Sequence, residues 1–181
     1  MVKMTKHIYK QISIFSILMA MLFVIFTKAH SQPPANDKNV KALFVLNFIR
    51  YVNWPDAKEG EVIKIGITGN SAITEALQTM INNRKENKNY IIETTSFDET
   101  NDYRILIVTK EHRLKTEDWV KKYSGKQVLV ISEECEKPSS AAINLINVDN
   151  KIRFEINMKG AERGGVSIST KLTDMATSVQ Q

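Results

Sequence analysis

Two short, continuously apolar segments constrain the fold of this chain more than any other feature. Arg104 to Thr109 (RILIVT) and Gln127 to Ser132 (QVLVIS) are rich in β-branched residues and lack the alternation of a strand with one wet face. Such segments are typical of interior strands in a parallel sheet that helices cover on both sides. A helical stretch at about 111–123 separates them, so the pattern predicts a βαβ unit.

The chain upstream repeats this alternation. A stretch at about 39–53 (NVKALFVLNFIRYVN) predicts a helix that is apolar on almost every face, hence buried between layers, and Trp54-Pro55 ends it. It is followed by a predicted strand, a predicted helix and a second predicted strand, which are Val62–Thr68, Ser71–Asn83 and Tyr90–Thr95.

The last third of the chain has a different pattern. Asp149-Asn150, a turn dipeptide, separates two apolar segments, which predicts an antiparallel hairpin of 142–148 and 151–157. A short helix at about 158–163 then runs into Gly164-Gly165. A final helix is predicted from Ser169, with its inward residues at Leu172, Met175, Ala176 and Val179. The predicted fold is a single-domain three-layer α/β/α sandwich, with a mainly parallel sheet and a C-terminal antiparallel hairpin.

Residues 1–31 have the pattern of a cleavable signal peptide. Three lysines precede an apolar run, Ile12 to Phe26, that is shorter than the ~20 residues a membrane-spanning helix needs. Ala29 and Ser31 have the small-residue spacing of a cleavage site, which predicts cleavage after Ser31 and no stable membrane insertion afterwards. An uncleaved N-terminal anchor is the less favoured alternative. Export is therefore expected, with 32–38 as a flexible leader and 39–181 as the folded domain.

The leader also changes the charge argument. The whole chain has 25 basic and 20 acidic residues, but residues 1–31 hold four lysines and no acid, so the mature chain carries a net charge of only +1. This balance gives no support to nucleic-acid binding. The single cysteine, Cys135, cannot close a disulfide within the chain, and it is expected in an exposed loop beside three carboxylates.

The mature sequence offers little for catalysis. Its one histidine, His112, lies among charged residues and is interpreted as a surface side chain. One histidine and one cysteine do not make a zinc site of the usual type, so neither a metal nor another cofactor is expected. The sequence therefore predicts a protein that is not an enzyme.

A few residues are candidates for binding. Gly69 and Ser71 follow a predicted strand and precede a helix, where an anion or another ligand is bound in some open sheets, although a capped glycine turn explains them equally. Asn47 lies within the apolar helix, where a buried amide needs a partner. Arg153 and Asn157 share one face of a predicted strand, which is either plain surface or the face on which Asn47 finds that partner.

Two motifs together resemble the YfiR/HmsC-like proteins. They are the segment 46–55 (LNFIRYVNWP) and the tail that starts with 153–157 (RFEIN) and continues in 165–172 (GVSISTKL). Arg50, Trp54 and Ser169 lie within these motifs and join the candidate contact residues. The resemblance covers about Val40 to Val179.

The resemblance implies a small periplasmic α/β protein without enzymatic activity. It implies a partner that is a membrane-bound signalling protein, a diguanylate cyclase or a sensor kinase, bound through its periplasmic region, with repression of cyclic-di-GMP output and biofilm formation as the precedent. Cysteine pairs of well-known members are missing here, which puts redox regulation in doubt. The sequence leaves homodimer formation open. The alternative is a periplasmic small-molecule-binding module that serves a sensor kinase or an outer-membrane receptor.

Overall fold

The computed structural model describes residues 37–83, 90–99, 101–136 and 140–181, and the predicted signal peptide lies outside these ranges. The strands are β1 (Val52–Asn53), β2 (Ile63–Thr68), β3 (Tyr90–Thr95), β4 (Ile105–Val108), β5 (Leu129–Glu133), β6 (Ile143–Val148), β7 (Lys151–Asn157), β8 (Ser167–Ile168) and β9 (Ser178–Gln180). The helices are α1 (Asp37–Tyr51), α2 (Ala72–Asn82), α3 (Thr116–Lys122), α4 (Met158–Gly164) and α5 (Thr170–Thr173), with a 3₁₀ helix at Lys110–Lys115.

Seven of the strands form one central sheet in the order β3-β2-β4-β5-β6-β7-β9. The first five are parallel, β7 is antiparallel to β6, and β9 is parallel to β7. Asp149 and Asn150 both have positive φ, 50° and 57°, as a two-residue hairpin turn between twisted strands requires. The predicted parallel sheet and C-terminal hairpin are confirmed. A separate antiparallel pair joins β1 to β8.

Alternate residues of the interior strands fill two apolar cores on opposite faces of the sheet. On the first face, β2, β4, β5, β6 and β7 pack against α1 and α2. On the second face, Leu106, Val108, Val128 and Val130 pack against α3 through Trp119 and Val120. Helices therefore cover both faces, which confirms the three-layer α/β/α arrangement.

Helix α1 lies on the first face rather than between two layers. Ala42, Val45, Leu46, Phe48 and Ile49 are buried, but Leu43 is 47% exposed. The expectation of a helix buried around most of its circumference is therefore wrong. The sheet and α2 cover only part of α1, because a single helical layer packs on this face, and one side of the helix points outward.

The C-terminal helix is much shorter than predicted. It ends at Thr173, and β9 then pairs in parallel with β7, with Val179 opposite Ile156. Leu172 is buried and Ala176 and Val179 pack against the first core, whereas Met175 is 53% exposed, so its predicted inward position is wrong. The open edge of β7 supplies backbone hydrogen-bonding groups that the apolar spacing alone did not reveal.

An ion pair with little solvent exposure ties α1 to the sheet. Lys41 Nζ lies 2.9 Å from Glu133 Oε1, and the two side chains are 17% and 6% exposed. The other carboxylate oxygen accepts a hydrogen bond from the backbone N–H of Lys110 at 3.1 Å. Glu133 thus joins three segments: α1, the end of β5 and the start of the 3₁₀ helix.

We expect Glu133→Ala to lower the free energy of unfolding by about 3 kcal/mol, because it leaves the largely buried Lys41 ammonium unpaired. Urea unfolding measures this loss. The matched control is Glu75→Ala, which removes a pair with Lys38 at the same 2.9 Å distance, but on the exposed surface. The control leaves stability almost unchanged. Equal losses in the two variants would contradict this reading of Glu133.

Gly66 provides a second test of the packing. A Cβ atom at Gly66 would lie 2.7 Å from the ring of Tyr103, a buried residue of the second core. We expect Gly66→Ala to lower the free energy of unfolding by about 2 kcal/mol through overpacking. In a Tyr103→Val background the same substitution is much less harmful, because the ring is gone. Additive losses in this double-mutant cycle would show that the ring is not the cause.

Candidate functional site

The chain leaves the neighbouring strands β2 and β4 toward opposite faces of the sheet. After β2 it enters α2 on the first face, and after β4 it reaches α3 on the second face. Ligands of open α/β sheets bind where strands diverge in this way, outside their carboxyl ends. Here the divergence leaves a crevice of about 470 Å³. We call it the strand-end crevice; its lining includes Thr68, Gly69, Phe97, His112, Lys115 and Trp119.

Two threonines at the strand ends are hydrogen-bonded to each other, and one of them, Thr68, lines the crevice. The backbone N–H of Thr109 donates to Thr68 Oγ1 at 3.0 Å, and the Thr109 hydroxyl donates to the Thr68 carbonyl at 2.8 Å. His112 Nδ1 lies 3.3 Å from the same hydroxyl oxygen. Because the single hydroxyl proton points to the carbonyl, we infer that Nδ1 is the donor to this oxygen.

Gly69 allows the His112 ring to approach the strand end. Its φ is +69°, and a Cβ atom there would lie 2.6 Å from His112 Cε1. Ser71, two residues later, is the N-cap of α2, and its Oγ accepts a hydrogen bond from the N–H of Ile73 at 3.3 Å. Of the predicted pair, Gly69 lines the crevice, while the Ser71 oxygen caps the helix.

The opposite wall of the crevice is the loop that follows β3. The Phe97 ring packs edge-on against Trp119, with 5.0 Å between the ring centroids. Lys122 Nζ lies 4.9 Å from the Phe97 centroid and donates to the backbone carbonyls of Phe97 and Glu99. Glu99 Oε2 in turn accepts from the Ser96 N–H at 3.4 Å. These contacts fix the loop against α3.

The crevice has a threonine hydroxyl next to a histidine ring. A histidine base activates a hydroxyl nucleophile by accepting its proton. The Thr109 hydroxyl instead donates to the backbone carbonyl of Thr68. Around this network the crevice presents carboxylates, hydroxyl groups, an ammonium group and an aromatic ring, all of which are suited to holding a ligand.

A second, larger groove of about 570 Å³ contains one other predicted site residue, Asn157. This residue is buried, and its Oδ1 accepts a hydrogen bond from the N–H of Gly160 at 3.0 Å, which caps α4. Cys135 also lines this groove and is half-buried rather than fully exposed. Arg113 and Arg163 lie along the same groove. Asn157 therefore has a structural role at a surface groove.

The structure does not bring Asn47 together with Arg153 and Asn157. Helix α1 packs on the face of β7 that Phe154 lines, with 5.1 Å between the ring centroids of Phe48 and Phe154. Arg153 and Asn157 alternate with Phe154 and belong to the other face. Of the two interpretations of the Arg153 and Asn157 face, the one in which Asn47 finds its partner there is therefore wrong.

Asn144 is, like Asn157, a buried amide, whereas Asn47 is not. Asn144 is 2% exposed; its Oδ1 accepts from Ser132 Oγ and the Cys135 N–H, and its Nδ2 donates to the Cys135 carbonyl. Asn47 is half-buried on the outward side of α1, and Arg50, one turn later, is exposed. Asn47 and Arg50 are thus accessible to a partner.

Trp54 and Ser169 lie around the small β1–β8 sheet. Trp54 is buried in the first core, and the N–H of Ser169 donates to the carbonyl of Tyr51 at 2.9 Å. Within the described part of the chain, Trp54 Nε1 and Ser169 Oγ are buried without a hydrogen-bond partner. Both residues anchor the end of α1 to the C-terminal region.

Gly69 is the one predicted site residue that lines the strand-end crevice; the residues that sequence reasoning missed include Phe97, His112 and Trp119. They come from the loop after β3, the 3₁₀ helix and α3, and no short motif joins them. One signal was available. His112 follows the predicted strand β4 by a few residues, at the same edge of the sheet as Gly69.

Metal and membrane sites were also sought. Over the described ranges, no three His, Cys, Asp or Glu side chains are grouped so that they could hold a metal ion. In the same ranges no helix has the length and apolar character needed to cross a membrane.

Comparison with known proteins now adds to this geometry. No curated protein matches the chain. The model of the YfiR/HmsC-like family matches residues 38–177, which run from the first turn of α1 to the residue before β9. The match therefore includes both cores, the strand-end crevice and both predicted motifs. This chain belongs to the YfiR/HmsC-like family.

Proposed function

We propose that this protein is a non-enzymatic periplasmic regulator that binds and represses a membrane signalling protein. The family match over almost the whole described fold supports this proposal. By family precedent the partner is a diguanylate cyclase, which the protein contacts in the periplasm, and repression lowers cyclic-di-GMP output and biofilm formation. A sensor kinase is the other partner of this class.

The proposal rests on the observation that some residues of the 46–55 motif are buried in the core and others face outward. Phe48 and Trp54 are buried in the first core, so packing explains them. Asn47 and Arg50 face outward, and packing does not explain them. Residues of a family motif that the core does not use are the natural candidates for contact with another protein.

These two residues belong to an exposed stripe with an apolar centre. Val40, Leu43, Asn47 and Arg50 follow one another at helical spacing on α1, and we call them the outer stripe. Leu43 is 47% exposed at the middle of this stripe. An apolar side chain surrounded by an amide and a guanidinium has the composition of a small protein interface. We place the partner contact there.

Export fits this role. A signal peptide at 1–31, cleaved after Ser31, delivers the domain to the compartment in which membrane sensors expose their regulatory regions. The first residues of the mature chain then lead directly into α1, which begins at Asp37.

One observation favours a second candidate function, a small-molecule-binding module that serves a sensor kinase or an outer-membrane receptor. The strand-end crevice has the position and the size of a ligand site. The two functions are compatible, because a ligand that changes the affinity for a partner is an ordinary allosteric effector.

A photo-crosslinking amino acid tests the contact in intact cells. At position 43 it is expected to capture an integral membrane protein that carries a cyclase or kinase output domain. At position 148 it is not, although Val148 has a similar exposure of 39% at the far end of the hairpin. Mass spectrometry identifies the captured proteins. Capture of soluble enzymes alone from position 43 would contradict the proposal.

The same stripe predicts a regulatory phenotype. We expect Leu43→Lys to raise the partner's output as much as deletion of the gene does, because a lysine ammonium in the apolar centre of the contact weakens binding. Val148→Lys is the matched control and leaves the output at the wild-type level. Cyclic-di-GMP content or kinase phosphorylation measures this output, and immunoblotting shows that the variants accumulate normally. Unchanged output in the deletion strain would rule out repression.

A further inference from the structure

We propose that the strand-end crevice binds a neutral sugar, that is, a polyhydroxylated ring without net charge. The proposal is independent of the partner contact on α1. Three observations carry it: a buried indole N–H without an acceptor, an exposed aromatic ring in the wall, and polar groups of opposite charge around the cavity.

The unsatisfied donor belongs to Trp119. This residue lines the crevice and is 2% exposed, and its Nε1 has no hydrogen-bond partner in the described part of the structure. A buried N–H without an acceptor is destabilising, and buried tryptophans usually find a partner. We infer that this N–H faces the crevice, where an oxygen atom of a ligand would supply the acceptor.

The exposed ring is Phe97. It remains 40% exposed although it packs against Trp119 and lies under the Lys122 ammonium. An exposed phenyl ring at the wall of a polar cavity offers an apolar surface for a ligand that is polar at its rim and apolar on its faces. A sugar ring has this character, because its C–H groups point to the faces and its hydroxyl groups to the rim.

The polar groups of the crevice indicate a ligand without net charge. Asp98 and Glu99 bring negative charge to the loop wall, and Lys115 brings positive charge to the helix side. An anion would meet the two carboxylates, and a cation would find the aromatic cage of Phe97 and Trp119 already occupied by Lys122.

A polyol fits this mixture of donors and acceptors. Each of its hydroxyl groups both donates and accepts a hydrogen bond. It can therefore donate to the carboxylate of Asp98, accept from the ammonium of Lys115 and bond to the hydroxyl of Thr94, all of which line the crevice. The volume of about 470 Å³ lies within the usual range of small-molecule sites and suits one or two sugar rings.

The two tryptophans of the chain provide an internal control. The ¹⁵N-labelled protein, as the producing cell processes it, gives one indole N–H signal from Trp54 and one from Trp119. We titrate it with D-glucose, D-galactose, N-acetyl-D-glucosamine and maltose and record ¹H–¹⁵N correlation spectra. At least one of these sugars is expected to shift the Trp119 indole signal progressively and to leave the Trp54 signal in place.

Matched variants test the role of the indole. Trp119→Phe is expected to weaken binding about fivefold, the equivalent of one lost hydrogen bond, as followed by the backbone signal of Gly69. Trp54→Phe, which also removes a buried and unpartnered indole N–H, leaves the affinity unchanged. Phe97→Leu is also expected to weaken binding. Because Phe97 is exposed, this variant keeps the fold and tests the crevice even if Trp119→Phe does not fold.

Two results would overturn the proposal. One is that none of these sugars moves the Trp119 signal at any concentration up to its solubility limit. The other is that inorganic phosphate, glycine or ethanolamine moves this signal in their place, which would assign the crevice to an anion, a zwitterion or a cation. Neither result bears on capture of a membrane protein from position 43.

Discussion

The divergence of the chain at β2 and β4 is the constraint on which the rest of the structure depends. Strand β2 contributes apolar side chains to the first core and β4 contributes them to both cores, so both faces must be covered, and the chain meets this need by placing α2 on one side and α3 on the other. The crevice at the strand ends is the direct consequence. Gly69 and His112 meet there because one follows β2 and the other follows β4. The same sheet also determines where α1 lies, since its core positions fill the first face and its outer stripe is left to solvent.

Glu133 links the two surfaces to which we assign functions. One of its oxygens binds Lys41 on α1, which carries the outer stripe, and the other accepts from Lys110 at the start of the 3₁₀ helix, which carries His112. One carboxylate thus contacts both the helix that carries the outer stripe and the segment that carries His112. Both proposed functions are recognition functions.

Much of the fold could be predicted from the residues of short segments. The elements that could not be predicted depend on contacts between segments that are distant in the sequence. The hairpin followed from Asp149-Asn150, whose residues tolerate positive φ, and the interior strands followed from their continuous apolar character. Strand β9 could not be predicted from the sequence. Its three residues are too few to show an alternating pattern, and their pairing depends on the open edge of β7. The same limit applies to the site. Gly69 lies between a predicted strand and a predicted helix, but Phe97 and Trp119 meet only in three dimensions. Asn47, which is expected to be a buried amide, is half-buried instead, because sequence alone does not show which side of α1 the sheet covers.

We propose above that this protein acts by binding a membrane partner through the outer stripe of α1. Amide hydrogen–deuterium exchange of the protein, alone and together with membranes that contain the captured partner, tests it most directly. We expect slower exchange of the backbone amides of residues 39–51 in the presence of the partner, and unchanged exchange in the hairpin of β6 and β7. Protection confined to the hairpin or to the groove around Asn157 and Arg163, with none in α1, would contradict it.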